Sequence, residues 1–77
     1  MFIRNLTHLQ EGESALVTCL ENTGSIRRRL QDLGLVAGTR VQCMHKSPYG
    51  DPVAYCIRGA IIALRQEDAQ AVMICEP

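Results

Sequence analysis

The chain has 77 residues, the length of one small domain, and its 8 Lys plus Arg balance 8 Asp plus Glu, so its formal net charge is zero. A chain this short buries only about 60% of the surface that its unfolded form exposes, which leaves little room for a substrate cleft beside the core. Domains that bind nucleic acid usually carry a basic excess. Size therefore argues against an enzyme, and neutrality argues against nucleic acid as a partner.

The beginning of the chain, MFIRNLTHLQEGE, has no apolar stretch of signal-peptide length before charged residues intervene. The apolar run AIIAL, at 60–64, is far shorter than the roughly 20 residues of a membrane-spanning helix. We therefore expect a single domain over residues 1–77 that is cytoplasmic and not inserted in a membrane. Because thiols stay reduced in that compartment, the four cysteines are not expected to form disulfides.

Short segments rich in β-branched residues alternate with polar, glycine-containing stretches, the pattern of a small all-β domain. Side chains alternate between the two faces of a strand, so Ala15, Val17 and Cys19 are expected on one face of the first strand. By the same alternation, Val41 and Cys43 point inward from the second strand. The predicted strands cover residues 15–20, 39–46, 53–58, 60–65 and 71–75.

One segment, SIRRRLQDLG, breaks the two-residue period of the strands. Ile26 and Leu30, with another leucine three positions further on, recur at helical spacing and form one apolar stripe. We predict a short helix over 25–33, with Ser25 as the N-cap that accepts a hydrogen bond from the first turn. Gly34 is suited to end the helix in a left-handed conformation.

Three consecutive arginines, residues 27–29, lie on the polar side of this predicted helix. The favoured interpretation is a solvated helix face, since Arg28 and Asp32 are four residues apart and can partly neutralise each other. The alternatives are docking to an acidic partner surface and binding of nucleic acid. The last of these predicts strongly salt-dependent association.

The cysteines contain no C-x-x-C pair, the spacing that brings two thiolates to one metal ion. Cys43 and His45 are two residues apart on a predicted strand and would share a face, which makes them weak candidates for iron or another transition metal. The favoured interpretation places Cys43 in the core as a small apolar residue and His45 at the solvated end of the strand. No cofactor is therefore required.

The stretch SPYGDP, residues 47–52, joins two predicted strands. Proline pre-sets φ in a turn and Gly50 supplies conformations that other residues avoid, so the stretch predicts a hairpin connection. It lacks the G-x-x-x-x-G-K-[ST] pattern of a nucleotide-binding loop. A turn does not need Tyr49, and this aromatic side chain is expected to stand in solvent.

The elements L-x-x-L-G-L, G-T-x-V, P-x-G-D-P and R-G-x-x-I-A-L-R-x-x-D-A follow one another between Leu30 and Ala69. In this order and spacing they resemble the ferrous iron transport protein A family, FeoA. The resemblance implies a mainly β fold, a small SH3-like β-barrel of about five strands with one short inserted α-helix at about 25–33. It also implies a cytoplasmic accessory of the membrane ferrous iron transporter FeoB, which carries a cytosolic GTP-binding domain.

The resemblance suggests protein binding rather than catalysis, so the leading hypothesis is an interaction module on the cytosolic part of a FeoB-type transporter. The alternative is a sensor or regulatory domain that binds a transition metal through Cys and His ligands. The two arginines in the contact region could instead form ordinary ion pairs, for instance Arg65 with Glu67 or Asp68. The proposed contact residues are Pro48, Tyr49, Gly50, Asp51, Arg58 and Arg65.

Overall fold

A computed structural model describes residues 3–76 of the chain. It contains six strands, one more than the sequence predicts, because a short N-terminal strand was not expected. The polar stretch after the fifth strand also forms a helical turn, where the sequence predicts no regular element. The elements in chain order are β1 (Ile3–Asn5), a 3-10 turn (Leu6–His8), β2 (Ser14–Leu20), α1 (Gly24–Asp32), β3 (Arg40–Lys46), β4 (Val53–Ile57), β5 (Ala60–Leu64), α2 (Gln66–Ala69) and β6 (Val72–Cys75).

The strands form one antiparallel sheet in the order β1-β6-β2-β3-β4-β5, with β1 and β5 at its two edges. Buried side chains from β2 to β6, both helices and the connecting loops belong to one hydrophobic cluster. Strands far apart in the sheet can share a single cluster only if the sheet curves around it. The mainly β fold with one inserted helix is thus confirmed, and Val41 and Cys43 point into the core as predicted.

A β-bulge in β2 corrects the predicted face of Cys19. The pairing of β2 with β6 shifts register between Val17 and Cys19. A bulge inserts an extra residue and reverses the alternation beyond it. Ala15 and Val17 are therefore buried as expected, whereas Cys19 is exposed and Leu20 takes the inward position.

Helix α1 lies within one residue of its predicted bounds, but its start differs. The N-cap is Thr23 rather than Ser25, because the helix begins at Gly24 and Ser25 therefore lies inside the first turn. The apolar stripe is confirmed: Leu30 is fully buried and Ile26 packs against the core. Gly34 follows the helix with a φ of +107°, the backbone region that favours glycine.

Between residues 3 and 76, the helices fall short of the length and apolar character that a membrane crossing requires.

Candidate functional site

The turn at residues 47–52 joins β3 to β4, and the hairpin prediction is confirmed. The Gly50 N–H donates to the Ser47 carbonyl at 2.8 Å, and the Ser47 N–H donates to the Pro52 carbonyl at 3.4 Å. Gly50 has a φ of +83°, a backbone conformation that would be strained in a residue with a side chain. These backbone bonds fix the shape of the turn without using its aromatic side chain.

Tyr49 is 96% exposed, the most exposed of the large apolar side chains in the described part of the chain. Its neighbour Pro48 is exposed as well. A tyrosine offers a large contact area at low cost in side-chain entropy, which is why tyrosine is enriched at binding hot spots. The tip of this hairpin therefore presents a rigid apolar anchor to solvent.

The other side of the turn is fastened to α2. The Asp51 carboxylate accepts a hydrogen bond from the Gln66 N–H at 3.0 Å. The Gln66 side chain donates in turn to the Gly50 carbonyl, also at 3.0 Å. Arg65 immediately precedes Gln66, so the chain brings this arginine to the same end of the molecule as the turn.

Arg65 does not form the ion pairs that were considered for it. In residues 3–76 no carboxylate oxygen of Glu67 or Asp68 lies within 4.0 Å of its guanidinium group. Arg65 is exposed, and its carbonyl accepts the Asp68 and Ala69 N–H groups at 3.0 Å. Its charge is therefore available on the surface beside the turn.

Arg58 lies apart from the other five candidate residues. It follows β4, whereas the turn at 47–52 precedes β4, so the two occupy opposite ends of a five-residue strand. At about 3.3 Å per residue that separation is about 17 Å. The structure thus brings together the turn and Arg65, and it assigns Arg58 to a second region.

That second region is an open groove of about 660 Å³ that the sequence analysis missed. In the sequence, the loop between α1 and β3 contributes only the G-T-x-V element of the family resemblance, and Arg40 is not among the predicted site residues. No local pattern connects them to the β4–β5 turn about 20 residues later. The groove is lined by Ser14, Val36, Ala37, Gly38, Thr39, Arg40, Gln42, Cys56, Arg58 and Gly59.

Cys43 and His45 do not share a face, which corrects the geometry assumed for the metal hypothesis. The register of β3 with β4 shifts between them at a second β-bulge. Cys43 is fully buried, and burial raises the pKa of its thiol, against the attraction of nearby Lys46. The side chain of His45 is 73% exposed and lies 3.3 Å from the Glu11 carboxylate. Within residues 3–76 no three His, Cys, Asp or Glu side chains are grouped to hold a metal ion.

The three arginines of α1 have different surroundings. Arg27 donates to the carbonyls of Leu20 and Asn22, which fastens the start of the helix to the end of β2. Arg28 is exposed and, in the part of the chain that the structure describes, has no ion pair with Asp32. The solvated face is therefore the arrangement observed for most of this run.

The fold and the exposed hairpin place the chain in the class of small SH3-like β domains. It aligns with the zinc complex of FeoA from Stenotrophomonas maltophilia, described as a prokaryotic SH3 domain protein, with a TM-score of 0.83 and 31% identity. The alignment covers 92% of this chain and 88% of that one.

The chain belongs to the FeoA family, whose domain matches residues 4–75. It is also similar to the solution structure of FeoA from Chlorobium tepidum, with a TM-score of 0.86, 33% identity and coverage of 91% of this chain and 67% of that one. A FeoA/FeoB fusion protein of Porphyromonas gingivalis is 32% identical over 69 residues, which are 90% of this chain. The match spans only 8% of that relative's length. The family is thereby associated with ferrous iron transport.

Proposed function

We propose that this chain is a cytoplasmic accessory protein of ferrous iron uptake that docks on the cytosolic part of a FeoB-type transporter and tunes transport without catalysing a reaction. The observation that carries the proposal is the fused relative, in which a similar domain and a FeoB transporter share one polypeptide. Fusion keeps two domains at high effective concentration, an arrangement that favours domains acting on each other.

The proposed contact surface is the hairpin tip with Arg65, which we call the turn surface: Pro48, Tyr49, Gly50, Asp51 and Arg65. Tyr49 is the anchor because it is 96% exposed and the turn is held without it. The bonds of Gln66 to Gly50 and Asp51 hold the turn against α2, so little ordering is needed on binding.

No resident metal is needed for this function. Cys43 is buried in the core and His45 is solvated beyond a bulge, so the two side chains do not converge on one ion. Iron and zinc titrations followed by NMR and absorption spectra test this point. Spectral changes at Cys43 and His45 on addition of micromolar metal would instead support the sensor alternative.

The experiment is an NMR titration of the ¹⁵N-labelled chain with the cytosolic GTP-binding domain of a FeoB-type transporter. We expect chemical shift changes at residues 47–52 and 65–66 and in the adjoining ends of β3 and β4. Shift changes confined to α1 or to the far end of β4 would contradict the assigned surface. Absence of any change at protein concentrations of about 1 mM would contradict the docking itself.

A further inference from the structure

The open groove at the far end of β4 is built from three separate parts of the chain. The loop at 36–39 contributes one part, the turn Arg58–Gly59 another, and outward positions of β2, β3 and β4 the third. The outward positions form a row, since Ser14 pairs with Gln42 and Gln42 pairs with Cys56. Its volume of about 660 Å³ lies within the range of about 300–1,000 Å³ that is usual for ligand sites.

Among the described residues that line the groove, none is acidic. The charged ones are Arg40 and Arg58, both exposed, so this lining is positively charged. Extending the pairing of Val41 with Ile57 by one step places the two arginines opposite each other. Like charges directly opposite each other destabilise a pair of strands, so binding of an anion between the two arginines would be favourable.

The acidic residues just before Ser14, which lines the groove, are engaged elsewhere. Glu13 accepts a hydrogen bond from the Gln10 N–H at 2.7 Å. Glu11 accepts one from the Lys46 N–H, also at 2.7 Å. Across residues 3–76, neither Arg40 nor Arg58 has a carboxylate oxygen within 4.0 Å. Residues 3–76 therefore supply no carboxylate counter-ion to either arginine.

Arg58 stands in a backbone position that suits other residues better. Its φ is +52°, and with Gly59 at +83° it forms a two-residue turn in which asparagine or glycine is preferred. Its side chain passes close over Gly34, where a Cβ would lie 3.0 Å from the Arg58 Cδ. An arginine held in such a conformation points to a use for its charge.

The rest of the lining favours a peptide over a bare anion or a nucleic acid. Val36, 37% exposed, and Ala37 offer apolar contacts beside the arginine pair. A phosphate ion would leave these contacts unused. None of the described residues that line the groove is aromatic, so a base finds no ring among them on which to stack.

We propose that the Arg40–Arg58 groove binds an acidic, extended peptide segment. A carboxylate side chain of the segment lies between the two guanidinium groups, and a neighbouring aliphatic side chain packs on Val36 and Ala37. The site is separate from the turn surface and does not depend on which protein supplies the segment.

The test is fluorescence anisotropy with a labelled octapeptide in which glutamate and valine alternate, measured on the full chain at low salt. A peptide with glutamine in place of glutamate is the matched probe. We expect binding of the acidic peptide only. Arg40→Gln and Arg58→Asn should each weaken it about tenfold, the value of one charge-assisted contact. Arg28→Gln, on the exposed face of α1, should have no effect.

Further measurements distinguish peptide binding in the groove from transporter docking at the turn surface and from binding of a simple anion. Tyr49→Ala should leave peptide affinity unchanged, so failure of transporter docking and failure of peptide binding can be told apart. Equal binding of both peptides, or wild-type affinity in the Arg40→Gln variant, would overturn the proposal. So would inorganic phosphate competing as strongly as the acidic peptide at equal concentration, since the site would then be a simple anion site.

Discussion

The Asp51 carboxylate accepts the Gln66 N–H at 3.0 Å, which joins the β3–β4 turn to the first residue of α2. The residue at the N-cap position of α2 is Arg65, whose side chain makes no capping bond. Asp51 therefore satisfies one of the N–H groups that the start of a helix leaves without an intrahelical partner. One contact from a distant part of the chain thus stabilises both the helical turn and the hairpin that carries Tyr49.

Replacing Asp51 tests this contact. Asp51→Ala should lower the free energy of unfolding by about 1 kcal/mol, the usual cost of losing a cap, and should lower Tm by about 4–8 °C for a domain of this size. Asp51→Asn keeps an accepting oxygen and should cost much less. Thermal unfolding followed by circular dichroism measures both, and equal losses in the two variants would contradict the capping role.

Arg58→Asn should leave the free energy of unfolding unchanged or raise it, although the substitution removes a charged side chain. The left-handed conformation at Arg58 costs an ordinary residue roughly 1–2 kcal/mol, whereas asparagine adopts it readily in a two-residue turn. The lost contact of the Arg58 stem with Gly34 offsets part of the gain. Urea denaturation measures the difference, and a loss of more than about 1 kcal/mol would show that the contact with Gly34 dominates.

Alkaline pH should destabilise the fold through a buried pair on β3 and β4. Cys43 and Tyr55 face each other across these strands. Burial, with a smaller contribution from Cys43, raises the pKa of Tyr55 to about 12 from its usual value of 10.0. Between these pH values the unfolded chain has released a proton that the folded chain retains, so the unfolded state is favoured as pH rises.

Stability should therefore be level near neutral pH and should fall from about pH 8, where a cysteine in the unfolded chain begins to ionise, to about pH 12. The total loss from Tyr55 is about 3 kcal/mol, since its pKa differs by about two units between the folded and unfolded chain. Tyr55→Phe removes the titrating group and should flatten the decline above pH 10. A wild-type Tm that stays constant up to pH 12 would show that the two groups are not buried as described.

The four cysteines should react with thiol reagents in the order of their exposure. Cys19 is exposed, Cys56 and Cys75 are half-buried, and Cys43 is fully buried with a raised pKa. Because the thiolate is the reacting form, Cys43 should be modified only when the protein unfolds. Iodoacetamide labelling followed by peptide mass spectrometry reports each site, and labelling of Cys43 as fast as Cys19 would contradict the structure.

Helix α1 and strands β2 to β6 could be predicted from the sequence because each has a local cause, whereas β1 and α2 were not predicted. The apolar stripe on α1 and the turn residues around Gly50 and Gly59 specify their elements without help from distant residues. The family resemblance rested on motifs that lie at these same turns and strand ends.

The bulges could not be predicted, because they depend on pairing with other strands. In β2 the Val17 N–H donates to the Thr39 carbonyl while the Gly38 N–H donates to the Val17 carbonyl, and beyond this point the register with β6 shifts. The face of Cys19 depends on that shift, and the face of His45 on the second bulge, in β3. The groove was missed for a similar reason: it joins parts of β2, the 36–39 loop and the β4–β5 turn, which only the folded sheet brings together.

The central claim, that the hairpin tip docks on the transporter, is tested most directly by the affinity of Tyr49→Ala for the transporter's cytosolic domain, measured by isothermal titration calorimetry. Tyr49 is 96% exposed, so its loss should change unfolding free energy by less than about 0.5 kcal/mol. We expect an unchanged Tm and an affinity at least tenfold weaker, as for an aromatic hot spot. Wild-type affinity in this variant would contradict it.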